Sequence, residues 1–329
     1  MNTKTSNKQY FNDISIMRVM AMLMVVFYHC LCPYSIWDGS DYYIGFHVEA
    51  WDIIDGILAQ IHLPIFFLIS GFLFGVKRNV GGYNDVSKFI QNKVLRVLVP
   101  YVIVGIFLCL LQHRDFTQML DGISHLWFLL VIFECYILGK LMEAVLWMSS
   151  KTKNILMAIA IMFFLFLSHR FYFVQILGIS KLMIYFPYYI VGMLIYKANF
   201  AGHKNFQKYQ LPLIIVFLVL FALEQYFFCK RLLTIALGMC VVLCSFSYFR
   251  SLDIKPLPRW MNSLDKCSMG IYIVHHILIQ EMNGITCFRE IATTHYYIYP
   301  IIQFMIITMV SWGSVSLCRK NKYSKYVLG

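Results

Sequence analysis

The first apolar run of the chain, residues 14–31, is long enough to cross a lipid bilayer as a single helix. It contains an arginine, Arg18, near one end and a histidine, His29, near the other. Ionisable side chains are costly inside a membrane span and mark a functional site there by default. The step from Arg18 to His29 makes about three helical turns, so we expect both on one face, roughly 16 Å apart along the axis. Such a face predicts a site that reaches across the bilayer.

Further apolar runs follow along the 329 residues, of which 60% are hydrophobic and only 13% are charged. In a soluble domain about 25% of the residues are charged. We therefore predict an all-α, polytopic integral membrane protein with about ten transmembrane helices. The predicted spans are 14–34, 56–76, 95–111, 124–146, 154–169, 181–197, 211–228, 232–249, 268–282 and 297–318. They form one transmembrane domain, 14–318, between an N-terminal tail, 1–13, and a basic C-terminal tail, 319–329.

The lysine and arginine residues that give the chain its net charge of +12 are unevenly distributed among the loops. With the N-terminus inside, twenty of the 28 basic residues fall in cytoplasmic segments and six in external ones. Membrane proteins carry this excess on the cytoplasmic side, which predicts that both termini are cytoplasmic. Topology and contact with anionic membrane lipids then explain the charge, and no nucleic-acid partner is predicted.

Several kinds of site are not indicated by the sequence. It has no GxxxxGK[ST], HExxH or GxSxG motif. His275 and His276 are adjacent, so on a regular helix they point about 100° apart and cannot clamp one metal ion. We predict no metal site. The ten cysteines are scattered mostly through the spans, and we predict no disulfide framework.

Two interpretations are open for the external stretch 32–55, which is acidic and rich in aromatic residues, including Tyr34 and Trp51. Aromatic residues at this depth form interfacial belts in membrane proteins. The same residues would also suit a stacking surface for a sugar. In the next span, Pro64 removes a backbone donor and predicts a kink. In the same span, Ser70-Gly71 permits the close approach of another helix.

Short motifs follow in four further parts of the chain. They read His62-x-Pro64-x-Phe66-Phe67-x-x-Ser70-Gly71-Phe72, Lys93-x-x-Arg96-x-x-x-Pro100, His125-Leu-Trp127 with Tyr136 nine residues later, and Gly270-Ile-Tyr272-Ile-Val-His275. Together with the pattern of an arginine, ten residues and a histidine in the first span, this order resembles the membrane acyltransferase-3 family. These are the integral-membrane O-acyltransferases of bacterial surface polysaccharides. The resemblance covers most of the chain.

The sequence departs from the family pattern at two points. Many members carry glutamates shortly after the tryptophan motif, where this chain has Ile132 and Phe133, with Glu134 one position later. The esterase-like C-terminal domain of some members is also not seen, which resembles the shorter, stand-alone branch.

The resemblance implies an O-acyltransferase of the bacterial cytoplasmic (inner) membrane. Its donor would be a cytoplasmic acyl-CoA, most commonly acetyl-CoA, and its acceptor a hydroxyl of a cell-surface or lipid-linked glycan. A homo-oligomer is compatible with this reading.

The basic residues fit such a donor. Arg18, Lys93 and Arg96 lie at the predicted cytoplasmic end and would neutralise the phosphates of coenzyme A. Ser70 is expected to bind the donor as well, as a hydrogen-bond donor to the oxyanion, with helix packing as the alternative. Snorkelling anchors are the alternative for Lys93 and Arg96. His29 would act as general base on the acceptor hydroxyl. Direct attack is favoured over an acyl-enzyme because no serine or cysteine is obviously paired with His29.

Four further residues are expected to line the substrate site: Trp127, Glu134, Tyr272 and His275. Helix packing is the alternative for the aromatic ones. The competing function is a proton-coupled transporter, since intramembrane Arg, His and Glu also occur in carriers. No inverted repeat supports a carrier.

Overall fold

A computed structural model describes residues 11–35, 47–143, 176–197, 230–252 and 254–321, with the isolated positions 163, 211, 212, 214–216, 219, 323, 324, 327 and 328. The described residues form helices and no β-strand. In chain order the helices are α1 (Asn12–Leu31), α2 (Glu49–Ala59), α3 (His62–Asn79), α4 (Val86–Lys93), α5 (Val99–Leu111), α6 (Trp127–Leu141), α7 (Ile179–Lys197), α8 (Lys230–Ser251), α9 (Arg259–Gly284), α10 (Thr286–Thr294) and α11 (Tyr299–Cys318). A π-helical turn, Val94–Leu98, joins α4 to α5.

Six described helical segments are long and apolar enough to cross a membrane: Asn12–Tyr34, Glu49–Asn79, Val86–Leu111, Phe116–Leu141, Ile179–Tyr196 and Tyr299–Cys318. A shorter apolar helix covers Ile235–Ser251. Eight of the ten predicted spans coincide with described helices. The spans predicted at 154–169 and 211–228 lie mostly outside the described residues, so the count of ten and the side of the termini stay predictions.

The bundle has two ends, which we call the arginine end, where Arg18 lies, and the histidine end, where His29 lies. α1 and α9 run in the same direction, from the arginine end to the histidine end. α6 and α7 both run the opposite way: Lys181, near the start of α7, lies close to Trp127, at the start of α6. The connection between these two helices therefore begins and ends at opposite ends of the bundle, as a span in that connection would require.

The second predicted span differs from the structure at its proline. Instead of one kinked helix, the chain forms α2 and α3 with a break at Gln60 and Ile61. α3 begins at His62, so Pro64 sits in the first turn of α3. A helix leaves its first N–H groups without intrahelical partners, and a proline there removes no hydrogen bond. The predicted kink is therefore wrong.

The closest helix packing is between α3 and α7. A Cβ atom added at Gly71 would overlap the carbonyl oxygen of Tyr189, and one added at Gly192 would overlap that of Leu68. Each glycine thus lets its helix approach the backbone of the other, as the Ser70-Gly71 motif indicated. This contact fixes α3, and with it His62 and Ser70, in the core.

The external aromatic residues that are described belong to the packed interior. Tyr34 is buried and donates a hydrogen bond to the carbonyl oxygen of Ala292 at 3.1 Å. Trp51 is buried in α2 and donates to the carbonyl oxygen of Tyr296 at 2.9 Å. Both residues join α1 and α2 to the region of α10, which does not favour a sugar-stacking role for either.

Candidate active site

Five imidazole rings meet at the histidine end of the bundle. They come from α1, the start of α3, the turn before α6, and α9: His29, His62, His125, His275 and His276. The ring centroid of His29 lies 5.0 Å from that of His275 and 4.8 Å from that of His276. His62 joins the cluster through the ring of Tyr28, 4.8 Å away. Among the described residues no group of His, Cys, Asp and Glu has an arrangement that could hold a metal ion.

The hydrogen bonds of this cluster determine the tautomer of His29. His275 Nδ1 lies 3.1 Å from the carbonyl oxygen of Ile271. Because a carbonyl oxygen can only accept a hydrogen bond, Nδ1 of a neutral His275 carries the proton, and its Nε2 is therefore an acceptor. His29 Nδ1 lies 3.0 Å from that Nε2 and 2.9 Å from the carbonyl oxygen of Val25. Facing two acceptors, His29 Nδ1 must be the protonated nitrogen. The Nε2 atom of neutral His29 therefore keeps its lone pair, as a general base requires.

His125 has one ring nitrogen in use and one without a partner. Its Nε2 lies 3.0 Å from the carbonyl oxygen of Ile273 and donates to it. Its Nδ1 is buried and has no hydrogen-bond partner among the described residues. The ring stacks on His276 with a centroid distance of 4.5 Å, and Tyr272 donates its hydroxyl hydrogen to the His125 carbonyl oxygen. Tyr272 thus holds the His125 segment in place.

Arg18 forms a two-point ion pair with Asp265 of α9. Its Nε and Nη2 atoms donate to the two carboxylate oxygens at 2.6 and 2.7 Å, and Ser15 Oγ donates to the same carboxylate at 3.0 Å. The Asp265 side chain is 5% exposed, whereas that of Arg18 is 32% exposed. α1 and α9 are therefore joined twice, by Arg18–Asp265 at one end and by His29–His275 at the other. Both predicted residues of α1 face the same helix.

Lys93 lies at the arginine end, among aromatic rings. Its Nζ is 3.2 Å from the ring centroid of Tyr136, 5.5 Å from that of Tyr83 and 5.8 Å from that of Phe89. Arg96, on the π-helical turn that follows, is exposed. Neither Lys93 nor Arg96 forms an ion pair with another described residue, so an anionic ligand would not compete with a described carboxylate at either.

Tyr136 connects this lysine to the centre of the bundle. Its hydroxyl lies beside the Ser70 hydroxyl, and the positive charge of Arg18 is close enough to act on it. Ser70 is eight residues beyond His62 along α3, about 12 Å toward the arginine end. Ser70 is therefore next to Tyr136 and away from the histidines, which does not favour an oxyanion role for it at His29.

A second polar group surrounds Trp127, at the start of α6. The Lys181 Nζ lies 5.2 Å from the Trp127 ring centroid and 3.9 Å from an oxygen of Asp121. The ring of Tyr185 lies 5.4 Å from that of Trp127. Glu134, two turns further along α6, has a buried carboxylate oxygen without a hydrogen-bond partner among the described residues.

The structure thus brings the predicted residues together in three places. His29, His275 and Tyr272 meet at the histidine cluster, Arg18, Lys93 and Ser70 lie around Tyr136, and Trp127 and Glu134 lie on α6. Sequence reasoning missed Asp265, because the ninth span was predicted to begin at residue 268 whereas α9 begins at Arg259, directly after Pro258. One signal could have revealed it: Asp265 and His275 are ten residues apart, and Arg18 and His29 are eleven apart. Both steps are about three helical turns, so the two pairs can face each other.

The comparisons with known proteins agree with this arrangement. The family model described as an acyltransferase domain, of the acyltransferase-3 type, matches residues 11–319. Searches of curated proteins and of solved structures returned no significant match. The matched region contains the helices that carry the histidine cluster, the Arg18–Asp265 pair and Lys93. The chain therefore belongs to the acyltransferase-3 family of membrane acyltransferases.

Proposed function

We propose that the protein is an O-acyltransferase that moves an acyl group, most commonly acetyl, from cytoplasmic acyl-CoA to a hydroxyl of a cell-surface or lipid-linked glycan. The observation that carries this proposal is the Nδ1–H of His29, which is held by the Val25 carbonyl and by His275 and so leaves the lone pair on Nε2. A general base oriented by a second group through its other nitrogen is the usual arrangement for activating a hydroxyl.

In the proposed reaction His29 Nε2 takes the proton of the acceptor hydroxyl while the hydroxyl oxygen attacks the thioester carbonyl carbon. The tetrahedral intermediate then loses its C–S bond, and the His29 imidazolium returns the proton to the departing thiolate. The products are the O-acyl ester and free coenzyme A. No covalent enzyme intermediate is needed, since no described serine or cysteine hydrogen-bonds His29.

The donor would enter from the arginine end. Lys93 and Arg96 would bind its phosphates, because their charges are not paired within the described chain, and charge-assisted bonds to phosphate are strong. Arg18 is already paired with Asp265, so it would contribute its remaining donors beside the pantetheine arm. Tyr136 and Ser70 line the same path. The distance of roughly 16 Å from Arg18 to His29 suits an arm of pantetheine length.

The acceptor would meet the histidine cluster from the opposite end. His125 Nδ1 is a buried acceptor without a partner in the described structure, and it would accept a hydrogen bond from a second hydroxyl of the sugar. Buried polar groups are costly unless they are paired, so a bound hydroxyl would stabilise the site. Trp127 and Glu134 offer a stacking face and a carboxylate further along the same helix.

Acyl transfer in isolated membranes tests the proposal. Membranes containing the wild type, His29→Gln or His295→Gln would be given radiolabelled acetyl-CoA and the surface glycan of the host. We expect His29→Gln to transfer label at least about 100-fold more slowly, the usual effect of losing a general base. His295 is exposed in the turn after α10, so its variant controls for the chemistry of the substitution and should match the wild type.

Two results would count against the proposal. Transfer by His29→Gln at the wild-type rate would remove His29 as the base. A wild type that transfers nothing from acetyl-CoA or succinyl-CoA, at normal expression, would favour the competing transporter function.

A further inference from the structure

A groove of about 600 Å³ opens at the arginine end of the bundle, apart from the path described for the donor. The start of α1, the start of α9 and the end of α11 form its walls. Its polar lining includes Asn12, Arg259, Asn262, Ser263, Lys266 and Arg319. No aspartate or glutamate is among the described residues that line it. The groove is therefore a concave, basic surface.

Side chains bonded to the backbone hold the walls of this groove in place. Asn12 Nδ2 donates to the carbonyl oxygens of Ile254 and Lys255, both at 3.3 Å. Asn262 Nδ2 donates to the carbonyl oxygen of Leu257 at 2.9 Å. Arg319 Nη1 donates to the carbonyl oxygen of Lys266 at 2.7 Å and so joins the end of α11 to α9. The groove is preformed, because these bonds fix the segment before α9 and the end of α11 without a ligand.

The charge in the groove favours an anion. Arg259 and Lys266 form no ion pair within the described part of the chain. α9 also starts here, and its N-cap, Pro258, provides no side-chain hydrogen bond to the first turn. The N-terminus of a helix of this length carries partial positive charge and N–H groups that bind phosphate well. Two cationic residues and the start of a helix thus line one concave surface.

The surroundings of the groove indicate where the anion comes from. α11 is the least buried of the six candidate spans, with 22% of its apolar window buried against 61% for the span of α1. Its outward side chains, such as Met305, Met309 and Leu317, are exposed and apolar. Such a surface would face lipid tails in a membrane, and the groove at the end of α11 would then lie at the depth of the lipid headgroups.

We propose that this groove is a binding site for the phosphate of an anionic phospholipid. Arg259 and Lys266 bind the phosphate, and the apolar outer face of α11 carries the acyl chains. Asp265 lies between these residues in sequence but faces α1, where it pairs with Arg18. The lipid site is therefore separate from the Arg18 pair, although both are built on the first two turns of α9.

The test is a binding titration on the full-length protein in an uncharged detergent. Short-chain phosphatidylglycerol and phosphatidylcholine would be added separately, and bound lipid counted by native mass spectrometry. We expect phosphatidylglycerol to bind more tightly. The double variant R259Q/K266Q should weaken that binding by roughly 25-fold, since each cation near a lipid phosphate contributes about five-fold in affinity. R259K/K266R should stay within about twofold of the wild type.

The control variant is Lys88→Gln, which removes an exposed cation of α4 at the same end of the bundle. It should leave phosphatidylglycerol binding unchanged. Equal losses in Lys88→Gln and R259Q/K266Q, or equal binding of both lipids by the wild type, would overturn the proposal, because either result would indicate non-specific attraction.

Coenzyme A provides the last arm of the titration, because its nucleotide also carries phosphates. Failure of coenzyme A to displace phosphatidylglycerol would support the lipid assignment. If coenzyme A displaces the lipid and R259Q/K266Q loses coenzyme A binding, the lipid assignment is overturned in favour of the nucleotide. None of these readouts depends on acyl transfer.

Discussion

At the residue scale, the chemistry of His29 depends on which of its ring nitrogens carries the proton. Two acceptors at His29 Nδ1 decide this: the Val25 carbonyl oxygen and the Nε2 of His275, whose own Nδ1–H donates to the Ile271 carbonyl. His275 contacts no reacting atom in this scheme, so it is a positioning residue. Its role resembles that of the residue that orients the histidine in a catalytic triad.

Substitutions at His275 should separate orientation from packing. His275→Leu removes one of the two acceptors for His29 Nδ1–H and leaves only the Val25 carbonyl to hold the ring, so we expect kcat to fall about 100-fold while KM for acetyl-CoA stays within about twofold. His275→Gln keeps a side-chain oxygen that accepts this hydrogen bond, and should recover at least a tenth of the wild-type kcat. Steady-state kinetics of acetyl transfer in membranes would measure both.

A purely structural role would give another pattern. Under that role the Leu and Gln variants would lose activity together, in proportion to the amount of folded protein. Equal kcat values for the two variants would thus contradict the orientation argument.

The site residues differ in how far the sequence could predict them. Arg18 and His29 could be predicted to share a face because one helix carries both. The pairing of His29 with His275 could not, since it joins positions 246 residues apart in the chain. Asp265 was missed for a related reason: it was assigned to a loop, where a carboxylate needs no explanation.

At the element scale, the approach of α3 to α7 depends on two glycines that face each other's backbone. Gly71 lies against Tyr189, and Gly192 lies against Leu68. A side chain at either position has no room unless the helices separate. The sequence indicated a close approach at Ser70-Gly71, but could not identify α7 as the partner.

Gly71→Ala and Gly192→Ala should therefore each destabilise the bundle. Overpacking a tight contact typically costs about 1–3 kcal/mol, and here the overlap is with backbone atoms that cannot rotate away. We expect a lower midpoint of thermal unfolding in detergent, by several degrees, for both variants. Gly313→Ala in α11 is the matched control, because nothing lies within 4 Å of its added Cβ.

An unchanged midpoint for Gly71→Ala would show that α3 and α7 can separate freely, contrary to this packing.

The starts of α3 and α9 show why helix boundaries are difficult to predict from a sequence. Each has a proline close to its start, Pro64 in α3 and Pro258 before α9, and neither start was predicted correctly, since the sequence indicated a kink at Pro64 and a ninth span that begins at residue 268. A proline predicts a break or a start equally well, and the neighbouring helices decide between them.

At the scale of the whole molecule, the residues proposed for the donor and for the acceptor lie toward opposite ends of the bundle. Lys93 and Arg96 lie at one end of the bundle, and the histidine cluster lies toward the other. The excess of basic residues predicts that the arginine end faces the cytoplasm. The family could be predicted from the sequence because its motifs are spread over most of the chain in a fixed order, and the match over residues 11–319 confirms it.

This arrangement predicts that the donor is accepted from one side of the membrane only. Acetyl-CoA is charged and does not cross a sealed bilayer. Inside-out vesicles should therefore incorporate radiolabel from added acetyl-CoA without permeabilisation, whereas right-side-out vesicles should do so only after a mild detergent opens them. Label incorporation by sealed right-side-out vesicles, at the rate seen after permeabilisation, would contradict the predicted orientation.

The double connection between α1 and α9 has a consequence for how such chains can evolve. The two helices run in the same direction, and Arg18–Asp265 and His29–His275 join them at two points about three turns apart. One inserted residue between the two points of either helix would turn the second contact away by about 100°. Alignments of relatives that keep both pairs should therefore be free of gaps between positions 18 and 29 and between 265 and 275. The spacing between Arg18 and His29 in α1 would then be matched by the spacing between Asp265 and His275 in α9, and neither could change alone.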